Sequence, residues 1–368
     1  MKETKLKVII SGGGTGGHIF PAISIANALR EVAPTCEILF IGAQDRMEMQ
    51  RVPQAGYEIV GLPIKGFNRA QVWKNISVVS LLIKSLFKAR KTIKEFSPDV
   101  VVGVGGFASG PTLKMAEMLG IPTLIQEQNS YAGVTNKLLA KGASKICVAY
   151  PKMEQFFKAD KIVLTGNPVR QDILTNTMSQ EDAKQTLKFD PKRPVVLILG
   201  GSLGAQSINN ALLGMIDELG KSPIQFIWQT GKLYIDRVRT ALEGKELNNI
   251  IVTDFITDMS MAYRAVDLIV SRAGASSISE FSLLGKPVLL IPSPNVAEDH
   301  QTKNALALVD NQAALWLKDN ELKDQLYPLI NETINNKALL NRLSENIKRM
   351  ALPNSADNIA AEVLKLVK

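Results

Sequence analysis

The stretch Val8-Ile9-Ile10-Ser11-Gly12-Gly13-Gly14-Thr15-Gly16-Gly17-His18 decides the fold of this 368-residue chain. Its β-branched residues predict a buried strand that breaks into glycines and then into a helix. This arrangement puts backbone N–H groups and a helix N-terminus where they can hold an anion. A second such unit follows the run Val195-Val196-Leu197-Ile198-Leu199 and reads Gly200-Gly201-Ser202-Leu203-Gly204-Ala205. The repetition predicts two similar domains.

Apolar runs alternate with segments of helical spacing on both sides of Gly166-Asn167-Pro168. Such alternation predicts parallel sheets that are covered by helices on both faces. We therefore expect an α/β protein of two Rossmann-like, doubly wound domains that face a cleft, over residues 1–167 and 168–353. The last segment, about 354–368, carries Ile359, Val363 and Leu366 on one helical face, and we expect it to pack back on the first domain.

Composition excludes several classes of protein. A content of 46% hydrophobic and 21% charged residues is typical of a folded globular protein. Cys36 and Cys147 lie in strand-like runs without metal-type spacing, which predicts buried free thiols. No apolar stretch reaches the roughly 18 residues of a membrane-spanning helix. Since the first strand follows the N-terminus directly, we expect no signal peptide and a cytoplasmic protein.

The net charge of +8 has a local source in residues 65–94, which hold eight basic side chains, no acidic one and many apolar residues. The basic residues are Lys65, Arg69, Lys74, Lys84, Lys88, Arg90, Lys91 and Lys94. Helical spacing puts Lys84, Lys88 and Lys91 on one face. Two interpretations stay open: a surface for anionic lipid, or a solvated basic face over ordinary core residues. Nucleic acid is disfavoured because no recognition module accompanies the charge.

The first glycine loop formally matches a dinucleotide fingerprint, but the rest of that motif is missing. The second strand ends in Gly42-Ala43 rather than in the acid that a nicotinamide-binding unit places there. Neither glycine loop carries the Lys-Ser/Thr of a Walker P-loop. The chain also lacks an Asp-x-Asp motif that could hold a metal on a diphosphate. We expect a diphosphate held without metal or other cofactor, by helix N-termini and an arginine such as Arg170.

Polar residues at two further loops are candidates for the site. His18 ends the first glycine loop and could act as a general base or donate to a phosphate. His300 lies in a polar loop that fits a ligand better than a metal. The segment Arg272 to Glu280 opens a helix after an apolar run, which is a ligand position in open α/β sheets. Glu280 could accept hydrogen bonds from the vicinal hydroxyls of a sugar.

Six motifs resemble those of the MurG family of N-acetylglucosaminyltransferases, which converts lipid I to lipid II in bacterial peptidoglycan synthesis. They are Gly13 to Ala22, Gly105 to Pro111, Gln126 to Asn129, Gly166 to Arg170, Gly200 to Ala205 and Arg272 to Glu280. The resemblance implies a GT-B fold with the lipid-linked acceptor on the first domain and UDP-N-acetylglucosamine on the second. It also implies a peripheral position on the cytoplasmic face of the inner membrane, with an anionic membrane surface and other cell-wall synthesis proteins as partners.

The same resemblance implies the site residues. For the acceptor they are Gly13, Gly14, Thr15, Gly16, Gly17, His18, Gly105 and Gly106. For the donor they are Thr15, Gly16, Gly17, Asn129, Arg170, Ser202, Gly204, Ala205, Ile256, Arg272, Ala275, Glu280 and Gln301. Arg170 and Ser202 would contact the donor diphosphate, and the Ile256 backbone would pair with uracil. Glu280 would hold the ribose, Gln301 the donor sugar, and Asn129 either sugar. Phe107 stands where many members carry tyrosine.

The implied reaction is a single displacement in which the muramyl 4-hydroxyl attacks the anomeric carbon while UDP leaves. Such a step needs a base near the hydroxyl and stabilisation of the leaving diphosphate. His18 is the candidate base and Glu127 the alternative. A related transferase acting on another lipid or a soluble acceptor, and a non-catalytic nucleotide-sugar or lipid-binding protein, remain open.

Overall fold

The computed structural model describes residues 5–66, 76–170, 172–201 and 203–367. The chain divides into two compact units. The first comprises Met1–Val169 and Leu352–Lys368, and the second comprises Arg170–Ala351. Each unit is built around one parallel sheet.

The described part of the first unit contains a sheet of seven parallel strands in the order β3-β2-β1-β4-β5-β6-β7. The strands are β1 Lys7–Ser11, β2 Glu37–Ala43, β3 Glu58–Leu62, β4 Val100–Gly103, β5 Thr123–Glu127, β6 Lys145–Val148 and β7 Ile162–Leu164. The helices between them are α1 Gly16–Val32, α2 Glu48–Gln54, α3 Ile76–Phe96, α4 Ser109–Met118 and α5 Val134–Leu139.

The described part of the second unit repeats this plan with six parallel strands in the order β10-β9-β8-β11-β12-β13. The strands are β8 Val195–Leu199, β9 Gln225–Gln229, β10 Ile250–Thr253, β11 Leu268–Ser271, β12 Val288–Leu290 and β13 Leu315–Trp316. The helices are α6 Asp172–Thr175, α7 Gln180–Thr186, α8 Gln206–Gly214, α9 Ile216–Lys221, α10 Ile235–Leu242, α11 Met259–Ala265, α12 Ala275–Leu284, α13 His300–Val309, α14 Leu322–Asn335 and α15 Lys337–Arg349.

Strand order reverses direction once in each sheet, between β1 and β4 and between β8 and β11. This is the Rossmann order, and ligands of open α/β sheets bind at the carboxyl ends of the strands where the order reverses. Two Rossmann-like, doubly wound units were predicted from the sequence and are confirmed. The fold therefore puts the loops after β1, β4, β8 and β11 at the two positions best suited to bind a ligand.

The continuous apolar character of β1 follows from its position in the middle of the sheet. Val8 and Ile10 pack into the hydrophobic cluster with α1, whereas Ile9 packs into the cluster on the opposite face. Successive strand residues point to opposite faces, so a strand covered on both sides has no polar face.

The predicted cysteine thiols are free and buried. Burial raises the pKa of Cys36 to about 11 and that of Cys147 to about 12. Both thiols are therefore protonated and unreactive at neutral pH.

The C-terminal helix α16, Ser355–Leu364, packs on the first unit. Ile359 and Val363 are fully buried in the same cluster as Ile25 and Leu29 of α1. The last helix thus packs on the unit that contains the first strand of the chain.

We expect Ile359→Ala to lower the free energy of unfolding of the first unit by about 2–4 kcal/mol, because it leaves a cavity in this cluster. Leu364→Ala, on the exposed side of the same helix, is the matched control and is expected to cost less than about 1 kcal/mol. Denaturant unfolding measures both. Equal losses for the two variants would show that the helix is not docked as described.

Candidate functional site

The glycine loop after β1 packs directly against the loop after β4. Gly13 and Gly106 have φ angles of +148° and +86°, in the range that favours glycine. A Cβ on Gly106 would lie 2.3 Å from the carbonyl oxygen of Gly13, and one on Gly12 would lie 2.1 Å from Cγ2 of Val104. The two loops therefore approach closely enough that no side chain fits between them.

Helix α1 begins at this junction. The carbonyl of Thr15 accepts hydrogen bonds from the N–H groups of His18 and Ile19 at 3.1 and 3.2 Å. The Thr15 side chain does not cap the helix, and the first N–H groups of a helix have no partner within it. Gly16 and Gly17 thus begin a 17-residue helix whose positive dipole end suits an anion.

His18 lies between the two loops. Its Nδ1 is 3.2 Å from Oγ1 of Thr15. A Cβ on Gly105 would lie 2.9 Å from its Nε2, so the ring rests against the Gly105 backbone. The fold thus brings together all eight residues predicted for the acceptor, Gly13 to His18 with Gly105 and Gly106.

Glu48 is a residue of this region that the sequence motifs missed. Its side chain is buried, with 1% of its surface exposed. Oε2 accepts a hydrogen bond from the Gly14 N–H and Oε1 accepts one from the Ala43 N–H, both at 2.9 Å. One amide of the predicted phosphate loop is therefore already bound to an anion of the protein.

Glu127, the alternative base, anchors the loop after β5. Oε1 accepts from the backbone N–H and the side-chain amide of Asn129, at 3.0 and 3.3 Å. Oε2 accepts from the Gly133 N–H at 2.9 Å and from Nδ2 of Asn136 at 2.8 Å. Since the side chain is only 1% exposed, its oxygens are committed to these four donors. Glu127 positions Asn129, which was predicted to contact a sugar.

The second glycine loop is as tightly packed as the first. A Cβ on Gly204 would lie 2.1 Å from the carbonyl oxygen of Thr230, which also accepts a hydrogen bond from Nδ2 of Asn209 at 2.9 Å. Ala205 directly precedes α8 and provides no side-chain cap. The amide end of α8 is thus held against the end of β9. Ser202, predicted to contact the diphosphate, lies outside the described residues.

Glu280 lies on α12 beside a cation and a hydroxyl. Oε1 is 3.5 Å from Nε of Arg170, and Oε2 accepts a hydrogen bond from the Tyr263 hydroxyl at 2.6 Å. Ala275 begins α12 without a side-chain cap. Over the described residues, the buried hydroxyl of Ser276 has no hydrogen-bond partner. Arg170, Glu280 and the first turn of α12 therefore form one polar cluster beside the loop after β11.

Three other donor residues already have partners. The Ile256 N–H donates to Oε1 of Gln229 at 3.1 Å. Oε1 of Gln301 accepts from the Ser293 N–H at 2.8 Å. The Arg272 guanidinium pairs with Asp319 at 2.5 Å, donates to Ser207 and donates to two backbone carbonyls. Arg272 therefore joins neighbouring loops through these contacts.

The basic segment differs in one respect from the predicted single face of three lysines. Nζ of Lys88 donates to the Gly61 carbonyl at 2.7 Å, and Lys91 pairs with Glu95 at 3.7 Å. Lys88 is half-buried and therefore does not share an exposed face of α3 with Lys84 and Lys91. Val79, Ile83 and Phe87 are exposed instead, with Phe87 at 71%. Residues 67–75 of the predicted segment lie outside the described residues.

The described residues lack two features that would change the interpretation of the site. No helix there is long and apolar enough to cross a membrane. No group of three or more His, Cys, Asp and Glu side chains there could hold a metal ion. A cavity of about 760 Å³ on the loop between β2 and α2 is lined by residues 44–47, 49 and 50, none of which was predicted for the site.

Comparison with known proteins identifies the family. Residues 8–148 match the glycosyltransferase family 28 N-terminal domain, and residues 195–359 match the C-terminal domain of that family. The chain is 60% identical over 365 residues to a Bacteroides fragilis protein, covering 99% of this chain and 96% of the relative. That relative is named UDP-N-acetylglucosamine–N-acetylmuramyl-(pentapeptide) pyrophosphoryl-undecaprenol N-acetylglucosamine transferase.

Two further matches agree. A Phocaeicola vulgatus protein of the same name is 61% identical, with 99% of this chain and 97% of the relative covered. The crystal structure of MurG from Acinetobacter baumannii superimposes with a TM-score of 0.78 at 28% identity, over 98% of this chain and 99% of that one. The chain therefore belongs to glycosyltransferase family 28 and, within it, to the MurG family of N-acetylglucosamine transferases.

Proposed function

We propose that this protein transfers N-acetylglucosamine from UDP-N-acetylglucosamine to the muramyl 4-hydroxyl of undecaprenyl-pyrophosphoryl-N-acetylmuramyl-pentapeptide, converting lipid I to lipid II. The observation that carries this function is the 60% identity to transferases of that name over nearly the whole chain. The glycine loops at both strand-order reversals supply the chemistry that a diphosphate-bearing donor and acceptor require.

In the second unit, Arg170, the first turn of α12 and the glycine loop before α8 would neutralise the charge that develops on departing UDP. A preorganised cation and helix N-termini stabilise such a leaving group without a metal. We therefore propose a metal-independent reaction. Transfer of radiolabelled N-acetylglucosamine to a short-chain lipid I analogue in EDTA tests this point, and loss of transfer that Mg²⁺ or Mn²⁺ restores would contradict it.

In the first unit, His18 is the better candidate for the base. Its ring lies beside the open end of α1, whereas all the oxygens of Glu127 hold the loop around Asn129. A general base must lie within hydrogen-bond reach of the substrate hydroxyl, and the position of His18 at the junction of the two glycine loops supports that role. We therefore propose His18 as the base and Glu127 as the residue that positions Asn129.

We expect His18→Gln to lower kcat about 10²–10⁴-fold, because proton removal from the acceptor hydroxyl is lost. Isothermal titration should show UDP-N-acetylglucosamine binding unchanged. Glu127→Gln should instead lower the melting temperature, since the amide cannot accept all four hydrogen bonds. If His18→Gln turns over at the normal rate, His18 is not the base.

Donor recognition gives a second expectation. Glu280→Gln should raise the donor KM about tenfold, since a charged acceptor of sugar hydroxyl hydrogen bonds becomes neutral, while the acceptor KM stays within about twofold. Tyr263→Phe is the matched variant, because it removes only the hydroxyl that orients Glu280, and it should give a smaller rise. Steady-state kinetics with each substrate varied measures both, and an unchanged donor KM in Glu280→Gln would remove Glu280 from the donor site.

The exposed face of α3 supports a peripheral membrane surface. Val79, Ile83 and Phe87 recur at every fourth residue, and the exposed Arg90 and Lys94 continue the same face. Apolar side chains flanked by cations bind anionic bilayers through both burial and charge. We propose that this face lies on the inner leaflet of the cell membrane, where a lipid-linked acceptor would be found.

We expect Ile83→Ser combined with Phe87→Ser to weaken binding to phosphatidylglycerol vesicles about tenfold or more, since about 25 cal/mol is lost per Å² of apolar burial. Leu233→Ser removes a comparably exposed side chain, at 73%, from the second unit and serves as the control. Vesicle sedimentation measures both. Equal binding by the two variants would contradict the membrane proposal and would show that this face of α3 is an ordinary solvated surface.

A further inference from the structure

The loop that was expected to cradle the acceptor diphosphate is built around a carboxylate of the protein itself. Glu48, the first residue of α2, bridges the N–H groups of Gly14 and Ala43. Gly14 lies in the loop after β1, and Ala43 is the last residue of the neighbouring strand β2. A single buried side chain therefore joins the two loops where the sheet ends.

The surrounding glycines leave room for this carboxylate. A Cβ on Gly13 would lie 2.1 Å from Oε1 of Glu48, and one on Gly42 would lie 2.6 Å from its Cγ. The φ of +148° at Gly13 is also one that other residues rarely adopt. Glycine at both positions is thus explained by the space that Glu48 occupies.

The charge of Glu48 is held by backbone dipoles. Across the described chain, no lysine, arginine or histidine forms an ion pair with it, and its carboxylate accepts hydrogen bonds from the two N–H groups. A buried carboxylate with two good donors is tolerated, but it opposes a second anion at the same donor. The Gly14 amide is therefore closed to a phosphate oxygen.

The open amides lie on the other side of Thr15. The Gly16 and Gly17 N–H groups belong to the first turn of α1, where a long helix presents its positive end. Glu48 thus divides the glycine-rich segment into a fixed half, Gly12 to Gly14, and a half that can receive an anion.

We propose that Glu48 is a positioning residue for the acceptor: it fixes the Gly12–Gly14 backbone, and the acceptor diphosphate is held by the amides of Gly16 and Gly17 instead of that of Gly14. This inference rests on the proposed transferase function. It narrows the acceptor contacts predicted from sequence, because the Gly14 amide holds the loop through Glu48 and does not bind the phosphate.

Glu48→Gln tests the role in solution, because the amide keeps the size of the side chain but turns a donor towards one of the two N–H groups. We expect the KM for a short-chain lipid I analogue to rise about tenfold or more, as a charged hydrogen bond is lost, and the donor KM to stay within about twofold.

Asp267→Asn is the matched control. Asp267 also accepts a hydrogen bond from a backbone N–H, that of Val195 at 2.8 Å, but it lies in the second unit. It should lower the melting temperature without a selective change in acceptor KM. A Glu48→Gln enzyme with an unchanged acceptor KM would overturn the proposal.

Amide hydrogen exchange on the unaltered enzyme tests the geometry without a variant that could misfold. The Gly14 amide should be protected in the free enzyme and equally protected with the acceptor analogue, whereas the Gly16 and Gly17 amides should gain protection only with the analogue. A Gly14 amide that exchanges freely until the analogue binds would contradict the proposal. Failure of the proposed function would appear separately, as absence of transfer by the unaltered enzyme, and would leave the free-enzyme exchange result valid.

Discussion

The structure depends on how each parallel sheet satisfies the backbone N–H groups at the ends of its central strands. In the first unit the carboxylate of Glu48 accepts hydrogen bonds from two of these amides, whereas the amides in the first turn of α1 have no side-chain cap. In the second unit the loop after β8 is packed against the loop after β9 through Gly204, Gly231 and Thr230, and both α8 and α12 begin without a side-chain cap. Buried amides need partners and helix ends favour anions, so this division decides where an anionic ligand can bind.

The same constraint explains why glycine occurs where it does. Gly106 lies against the Gly13 backbone, and Gly231 lies against the Gly204 backbone. In each unit the loop after one strand thus packs closely on the loop after a neighbouring strand. The two halves of the chain reach this arrangement with different sequences, and in both the helix after the glycine loop begins without a side-chain cap.

Much of this organisation could be predicted from the sequence. The runs at Val8 and Val195 identify central strands because a strand buried on both faces has no polar positions, and the glycines after them identify the reversal points. The contacts of Glu48 could not be predicted. It is the first residue of a seven-residue helix, and nothing in the sequence of that helix indicates which loop its carboxylate reaches. The half-burial of Lys88 was missed for a similar reason: helical spacing places it on the face of Lys84 and Lys91, but only the fold brings the Gly61 carbonyl within 2.7 Å.

The predicted roles of Arg272 and Glu127 show the limit of motif reasoning. Arg272 lies in the motif that begins the loop after β11, yet its guanidinium is bound to Asp319 and to carbonyls of the neighbouring loop. Glu127 lies next to residues expected to contact a sugar, yet its carboxylate holds their loop together. A motif identifies which residues the site needs, and the hydrogen bonds distinguish those that face the ligand from those that support them.

The most direct test of the central claim is the structure of the product formed from UDP-N-acetylglucosamine and a short-chain lipid I analogue, determined by NMR. An inverting displacement by the muramyl hydroxyl predicts one new glycosidic bond, β at the anomeric carbon and attached at position 4 of the muramyl sugar. An α-linked product, a sugar attached elsewhere, or free N-acetylglucosamine as the only product would contradict it.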